Sequence, residues 1–573
     1  MLNLLQILSY FQSLIENPAM DLKHKPALFF IFWLLLGILQ AYFVDLTSDE
    51  GYYWFYSRHL QWGYYDHPPM VALIIKLGYA IFHNELGVRL LNILLTSASF
   101  LLFFRLIPEN LKQKNITYLV LLAQPLLHYF SIIVFPDGVL LFFSLLFLLG
   151  YKRLIEKDDA SAALLLGLSL AGMFYSKYHG ALVLVFTVLS NFRLFKTKWF
   201  WVSLLIPVIL SIPHVLWQYE SGFPSLQYHL SDRVSGLSLK HTGEYLSQQL
   251  VAISPVFLIA LFDYKKTNQF EKTLKFIAIG TLCFFLFTSV KVFIHLHWTS
   301  IALFPMAFLA IKYYNDNAKR KLFYWLATPF FIVIILFRVN TFYPFLSFLQ
   351  KIDFYQGRDI WSKEINSLAA NKPVLFIRDF REPSFYTFYT GQMAVCIFGE
   401  DNRKTQYDLW NYEDSLQGKD ILMIRKREFE GSNKFESKMG KTVYYQLRPH
   451  FESYYNIPVS IELSASANDS MQLFVRIKNE RKTALSFLNA SSGSQPVMFC
   501  QIKDNKNQIE RTDTLKTFSV KDKIEPGKSA AHKFSISIKE LKAGKYKMAF
   551  GFFYDVLPPS FNSINNSFVI NKP

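Results

Sequence analysis

Eleven apolar runs, most of them near the length a bilayer demands, follow one another between residues 27 and 339. They lie at about 27–44, 87–106, 115–135, 138–151, 160–175, 179–192, 199–217, 248–263, 275–293, 297–312 and 322–339. This succession predicts a polytopic α-helical membrane protein with about 11 transmembrane helices. Composition agrees, since 52% of the 573 residues are hydrophobic, 17% are aromatic and the mean hydropathy is +0.20. The net charge of +17 does not point to nucleic acid. The basic residues fall in short clusters between apolar runs, which is the pattern of loops anchored at a membrane.

Those clusters also orient the chain. With the N-terminus on the cytoplasmic side, the inner segments before residue 340 hold 19 Lys and Arg, and the outer segments hold 8. The positive-inside rule therefore places the loop at 45–86, and everything after about residue 340, outside the cytoplasm. The expected location is a plasma membrane. The first 20 residues, MLNLLQILSYFQSLIENPAM, lack a basic leader region, so a cleaved signal peptide is not expected. Leu4, Ile7, Leu8, Phe11, Leu14 and Ile15 recur at helical spacing, which predicts an interfacial helix over 1–26.

The pattern changes after the last run. Residues 341–453 alternate short strand-like runs, such as VLFI at 374–377, ILMI at 421–424 and VYYQL at 443–447, with polar or helical segments, and read as an α/β domain. Residues 454–573 show period-two runs (IPVSIELSA, MQLFVRIKN, PVMFCQI, HKFSISI, KYKMAFGFFY, NSFVI), which predict an antiparallel β-sandwich serving as an accessory domain. Cys283 lies in an apolar run and is expected in the core. Cys396 and Cys500 could pair if their half is extracytoplasmic, although two thiols make no framework.

Chemistry concentrates in one stretch, Asp45 to Met70, which reads DLTSDEGYYWFYSRHLQWGYYDHPPM. Eight of its 26 residues are Tyr, Trp or Phe. Aromatic rings favour the membrane–water interface, and ionisable groups there are costly enough to suggest function. Thr47 or Ser48 can cap a helix whose first turn holds Asp49 and Glu50. As plain capping groups these acids need no further role, whereas in an aromatic loop a carboxylate can act as general base or bind a divalent cation. Pro68 and Pro69 open a second helix, too short to span. Asp66 and His67 form either a turn before it or a carboxylate and imidazole held at fixed angles by the extended backbone that precedes proline.

Three further turns on the same side carry polar groups. Asp137 sits in Pro-Asp-Gly, either an ordinary turn or a second carboxylate facing the first loop. Lys177 interrupts an apolar stretch, where an ammonium can snorkel to the interface or hold a phosphate. His295 and His297 form an i,i+2 pair, a weak metal signal on its own. Acids and bases facing one membrane surface suit a lipid-phosphate donor. The bases Lys177, Arg58 and His67 would hold the phosphate, and an acid would deprotonate the acceptor. Asp66, His295 and His297 would position substrate or a metal, with Glu50, Asp66 and His67 the candidate set for a divalent ion.

The segment DEGYYWFYSRHLQWGYYDHPPMVALII resembles the first-loop signature of bacterial members of the dolichyl-phosphate-mannose protein mannosyltransferase family (glycosyltransferase 39-like). That family belongs to the C-type membrane glycosyltransferases, and the segment is more distantly similar to the aminoarabinose lipid A transferase. The resemblance continues in order through FPDGVLLFF, YSKYHGALVLV and HLHWTSIALFP and covers about residues 27–340. It implies the C-type fold and inverting transfer of a hexosyl or pentosyl group from a polyprenyl-phosphate donor to a protein, lipid A or other glycan or lipid acceptor. The resemblance to bacterial members narrows the expected location to a bacterial inner membrane. Asp49 matches the catalytic acid of the family's Asp-Glu motif, Glu50 its partner, and Asp137 the second functional Asp. Asp66-His67 stands where the lipid A transferase has Glu-Lys, so the acid is kept and the base is changed. The expected phosphate contact therefore moves to Lys177. The competing readings are a lipid or sugar transporter, against which the absence of an internal repeat counts, and a non-catalytic glycan-binding membrane protein.

Overall fold

The computed structural model describes residues 25–229, 237–346, 356–399, 404–463, 470–487, 495–504, 508–517, 522–563 and 566–570. The interfacial helix expected at 1–26 lies almost wholly outside the described residues. The chain forms two compact units, Met1–Gln356 and Gly357–Pro573.

The first unit is helical. Helix α1 (Lys25–Phe43) carries no charge after its first residue. A short helix, α2 (Ser48–Ser57), follows directly. Thr47 caps it: its hydroxyl accepts from Glu50 N at 3.4 Å, while Thr47 N donates to Glu50 Oε2 at 2.9 Å. This reciprocal capping box satisfies two amides that a helix start leaves unpaired. After Pro68 and Pro69 comes α3 (Met70–Tyr79), ten residues long and too short to cross a bilayer. Helices α4 (Glu85–Leu106), α5 (Asn115–Leu122), α6 (Pro125–Phe130) and α7 (Pro136–Lys157) continue the bundle. Helix α8 (Ala160–Ser176) stops at Lys177, whose backbone is extended, and α9 (Ala181–Ser190) resumes after a 3-10 turn at Tyr178–Gly180. Then come α10 (Lys198–Glu220), α11 (Leu239–Ala252), α12 (Ser254–Asp263), α13 (Gln269–Thr288), α14 (Leu303–Tyr314) and α15 (Asn317–Phe342).

Among the described residues, five helices are long and apolar enough to span a membrane: α1, α4, α7, α10 and α15. The pair α11 and α12 makes a sixth only if its 94° bend is counted as one span. The eleven spans read from the sequence are thus not matched by eleven long helices, for local reasons. Pro125 starts a new helix and divides the run at 115–135. Ser254, at φ 71°, followed by Pro255, breaks the run at 248–263. The run at 297–312 begins as a 3-10 segment, Leu296–Ala302. Helix α8 has 17 residues, and α13 carries Glu271, Lys272 and Lys275 near its start. Cys283, expected in the core, is exposed on α13.

The second unit holds a mixed sheet and two antiparallel sheets. The mixed sheet has the order β2-β1-β3-β5-β4, with β1 (Val374–Ile377) parallel to β2 (Ala394–Ile397) and β3 (Ile421–Arg425). Strand β5 (Thr442–Arg448) runs antiparallel to β3 and to β4 (Asn433–Glu436). Helices at Arg358–Ala369 and Glu382–Thr390 cover its core, around Trp361, Phe376 and Leu422. Farther on, β6 (Val459–Leu463), β7 (Ser470–Lys478) and β12 (Ser529–Ser537) form one antiparallel sheet. Strands β9 (Val497–Asp504), β10 (Ile509–Thr517), β13 (Gly544–Phe553), β14 (Ser560–Phe561) and β15 (Asn566–Ile570) form another. The pair β8 (Leu485–Ser486) and β11 (Lys523–Ile524) sits beside them. Leu473, Val475, Cys500, Ile502, Met548 and Phe550 from the two larger sheets share one core, as a sandwich requires. Cys396 lies in β2 and Cys500 in β9, and both are free and buried, so the pairing considered for them does not occur.

Candidate active site

Helix α2 presents its acids to different surroundings because successive residues on a helix differ by about 100° in direction. Glu50 turns inward and is fully buried against Arg89 of α4. The guanidinium donates through Nε to Oε1 at 2.8 Å and through Nη2 to Oε2 at 2.7 Å. Its other N–H groups reach the carbonyls of Ala41, Val44 and Asp45 at 3.1, 2.5 and 2.7 Å. Glu50 Oε1 also accepts from Val134 N at 2.9 Å. All five donors of the arginine fork are therefore used. Glu50 ties α1, α2, α4 and the start of α7 together and is unavailable to a substrate.

Asp49 turns the other way and is half-buried. Its charge acts on Tyr53, one turn along α2, and on His67. Tyr53 Oη lies 3.2 Å from His67 Nε2. Burial, followed by the charges of Asp49, Asp66 and Asp137, pushes the Tyr53 phenol well above its usual range. Burial also lowers the His67 imidazole, partly offset by Asp66 and reinforced by Lys177. Asp66 accepts from Tyr56 Oη at 2.6 Å. Tyr56 stacks on Tyr64 with centroids 4.2 Å apart, and Tyr64 N donates to His67 O at 3.0 Å, which fixes the turn before Pro68.

Asp137 faces this turn from the first residues of α7 and is buried. Lys177 Nζ donates to Asp137 Oδ2 at 2.7 Å and Ser300 Oγ to Oδ1 at 3.0 Å. The ammonium lies 5.8 Å from the Trp298 ring centroid, within cation–π range. His297 Nε2 stands 3.9 Å from Asp137 Oδ2 and packs on Phe135, and His295 stacks on His297 with centroids 5.6 Å apart. Next to this group opens an apolar cavity of about 560 Å3, lined by Phe174, Leu182, Phe223, Phe284, Phe285 and Ile294 and bounded by Tyr178, His179 and Trp298.

The structure thus brings together Asp49, Asp66, His67, Asp137, Lys177, His295 and His297. It does not bring Glu50 or Arg58 to them. Arg58 caps the C-terminus of α2, is exposed and lies over Trp54 at 5.4 Å. It is nine residues beyond Asp49, about two and a half helical turns, and so faces the opposite side. The metal set Glu50, Asp66 and His67 does not fit an ion, because Arg89 takes both Glu50 oxygens and Tyr56 takes one of Asp66. Among the described residues, no three His, Cys, Asp or Glu side chains are grouped as metal ligands. Sequence reading missed Arg89, which lies inside the apolar run at 87–106, and Ser300, which stands in plain view in HLHWTSIALFP.

Residues 66–217 match the family model described as dolichyl-phosphate-mannose-protein mannosyltransferase. The lipid A galacturonosyltransferase RgtD of Rhizobium johnstonii is 23% identical over 376 residues, 60% of this chain and 78% of that protein. The lipopolysaccharide core galacturonosyltransferase RgtA of the same organism is 27% identical over 204 residues, 33% of this chain and 40% of that protein. The chain is a membrane glycosyltransferase. Its fold is that of ArnT from Cupriavidus metallidurans: the apo crystal structure superposes with a TM-score of 0.54 at 14% identity, covering 73% of this chain and 97% of ArnT. ArnT bound to undecaprenyl phosphate superposes at 0.52, with the same identity and coverage.

Proposed function

We propose that this glycosyltransferase moves a sugar from a polyprenyl-phosphate donor to lipid A or a related envelope glycan, with inversion and with Asp49 as general base. The names of the relatives support the acceptor class, and the undecaprenyl phosphate carried by the ArnT structure supports the donor. The observation that carries the reading is the difference in exposure among four carboxylates. Glu50, Asp137 and Asp66 are buried, and Glu50 is tied to Arg89. Asp49 alone is both half-buried, and so reachable by an acceptor, and close enough to act on His67 and Tyr53.

In the reaction, Asp49 takes the proton of the acceptor hydroxyl as its oxygen attacks the anomeric carbon. The bond from that carbon to the phosphate oxygen breaks, and its electron pair leaves with the polyprenyl phosphate. Lys177 has three N–H donors. One donates to Asp137, which aims the ammonium at the leaving phosphate, where a prepositioned charge is worth most. The apolar cavity beside Lys177 suits the polyprenyl chain. The excess of Lys and Arg on one side supports a cytoplasmic N-terminus and a reacting face outside the inner membrane.

Transfer of labelled sugar from polyprenyl-phosphate donors, in membranes holding wild type or Asp49→Asn, tests this. Label should reach a lipid A or glycan product with wild type only. Full transfer by a normally folded Asp49→Asn protein would sink the assignment.

A further inference from the structure

The first loop and helix α10 are joined by a short chain of buried polar groups. His214 Nδ1 lies 2.5 Å from the carbonyl of Trp62, and His214 Nε2 lies 3.0 Å from Tyr178 Oη. Gln218 Nε2 donates to Tyr178 Oη at 3.1 Å and to Ser225 Oγ at 2.7 Å, and Ser225 Oγ donates to the carbonyl of Tyr64 at 2.9 Å. A carbonyl only accepts, so His214 carries its proton on Nδ1, and Nε2 accepts from the tyrosine. The loop backbone lies tight against this group. A Cβ at Gly63 would meet the Trp217 ring at 2.3 Å and His214 Cε1 at 3.0 Å. His214 therefore touches two reactive elements at once. Trp62 and Tyr64 lead to the Asp66–His67 turn, and Tyr178 is the residue after Lys177. The same side chains, His214, Gln218, Ser225 and Tyr178, also line the 560 Å3 apolar cavity.

We propose that His214 is a positioning residue that links occupancy of this cavity to the alignment of the Asp66–His67 turn with Lys177. A hydrocarbon chain in the cavity packs on the imidazole and on Gln218 and holds both hydrogen bonds in register. An unfilled cavity leaves both bonds formed but less firmly held. The idea rests on the donor reading above, in which the cavity holds the polyprenyl chain.

The test uses full-length protein with sugar donors of long and short polyprenyl chain, and the variants His214→Asn, which keeps an amide where Nδ1 stands, and His214→Gln, which keeps one where Nε2 stands. Small misplacements of reacting groups cost roughly ten- to a hundredfold in rate. Wild type should show a kcat with the long chain about tenfold above that with the short chain. Both variants should lose this kcat advantage while KM still favours the long chain. A variant that keeps the kcat advantage overturns the proposal. A second readout needs no turnover: amide hydrogen exchange over residues 59–67 in ligand-free protein. It should quicken about tenfold in both variants and in Gly63→Ala, and unchanged exchange overturns the clamp. If wild type accepts no polyprenyl-phosphate donor while exchange quickens as expected, the donor reading fails and the clamp stands.

Discussion

Two buried acid–base pairs lie close to the same loop and do different work. Glu50–Arg89 is saturated: the carboxylate accepts from the fork, from Val134 N and from Thr47, and the remaining arginine donors go to three carbonyls. Asp137–Lys177 is built differently. The ammonium donates to one carboxylate oxygen, a serine holds the other, and imidazoles and an indole stand around the pair. A pair with every lone pair and proton taken is a joint, whereas one ringed by imidazoles and an indole beside an apolar cavity suits a ligand. On the proposed assignment the adjacent residues Asp49 and Glu50 have unrelated roles, because one helical step separates the joint from the face that Asp49 shares with His67.

The largest effect should come from breaking the joint. Arg89→Met leaves Glu50 charged and buried, which costs about 3–5 kcal/mol. The thermal midpoint in detergent should fall sharply. The double variant Glu50→Gln/Arg89→Met should not restore it, since the carbonyls of Ala41, Val44 and Asp45 still lack their donor. A double variant as stable as wild type would show that the pair is dispensable. The second pair should behave in the opposite way. Asp137→Asn/Lys177→Gln balances charge and keeps hydrogen bonding, so it should unfold near the wild-type midpoint while kcat falls about 10²–10³-fold, the usual cost of removing an electrostatic stabiliser. Retained kcat would remove Lys177 from the mechanism.

A smaller effect follows from His67. Its pKa is lowered by burial, so the fold favours the neutral ring. The unfolded chain binds the proton more readily, and stability is lost as pH falls below about 6.5. His67→Asn should flatten that acid limb of the midpoint-against-pH curve, and parallel curves for the two proteins would contradict the assignment. The smallest effect is expected at Arg58. Exposed and on the far side of α2, Arg58→Ala should change kcat/KM by less than about twofold, because an exposed charge over a ring contributes little. A large loss would mean that α2 turns its other face to the donor.

These contrasts also mark what the sequence could reveal. Strand β1 coincides with the VLFI run, and β7 falls on a period-two run because a half-buried strand must alternate, whereas β9 and β13 lie on apolar runs and are buried on consecutive residues. Strand β10 escaped notice because IERTDTLKT is polar on nearly every residue and, among the described residues, pairs with β9 alone at the sheet edge. Hydropathy located helices in every apolar run, but it could not show that Pro125 and Ser254 break two of them. The site was legible wherever its residues clustered in a motif, as with Asp66-His67 and Asp137. The tie between Glu50 and Arg89 spans 39 residues and has no local signature, and Arg58 looked useful only until helical phase was counted.

The measurement that bears most directly on the central claim is single-turnover transfer from a polyprenyl-phosphate sugar by purified wild type and Asp49→Asn, each first shown to fold by its thermal midpoint. Loss of a general base costs about 10²–10⁴-fold, so the variant should bind donor with unchanged affinity and transfer at least a hundredfold more slowly, giving a product of inverted anomeric configuration with wild type. Equal single-turnover rates, or a product of retained configuration, would contradict the assignment of Asp49 as the base of an inverting transfer.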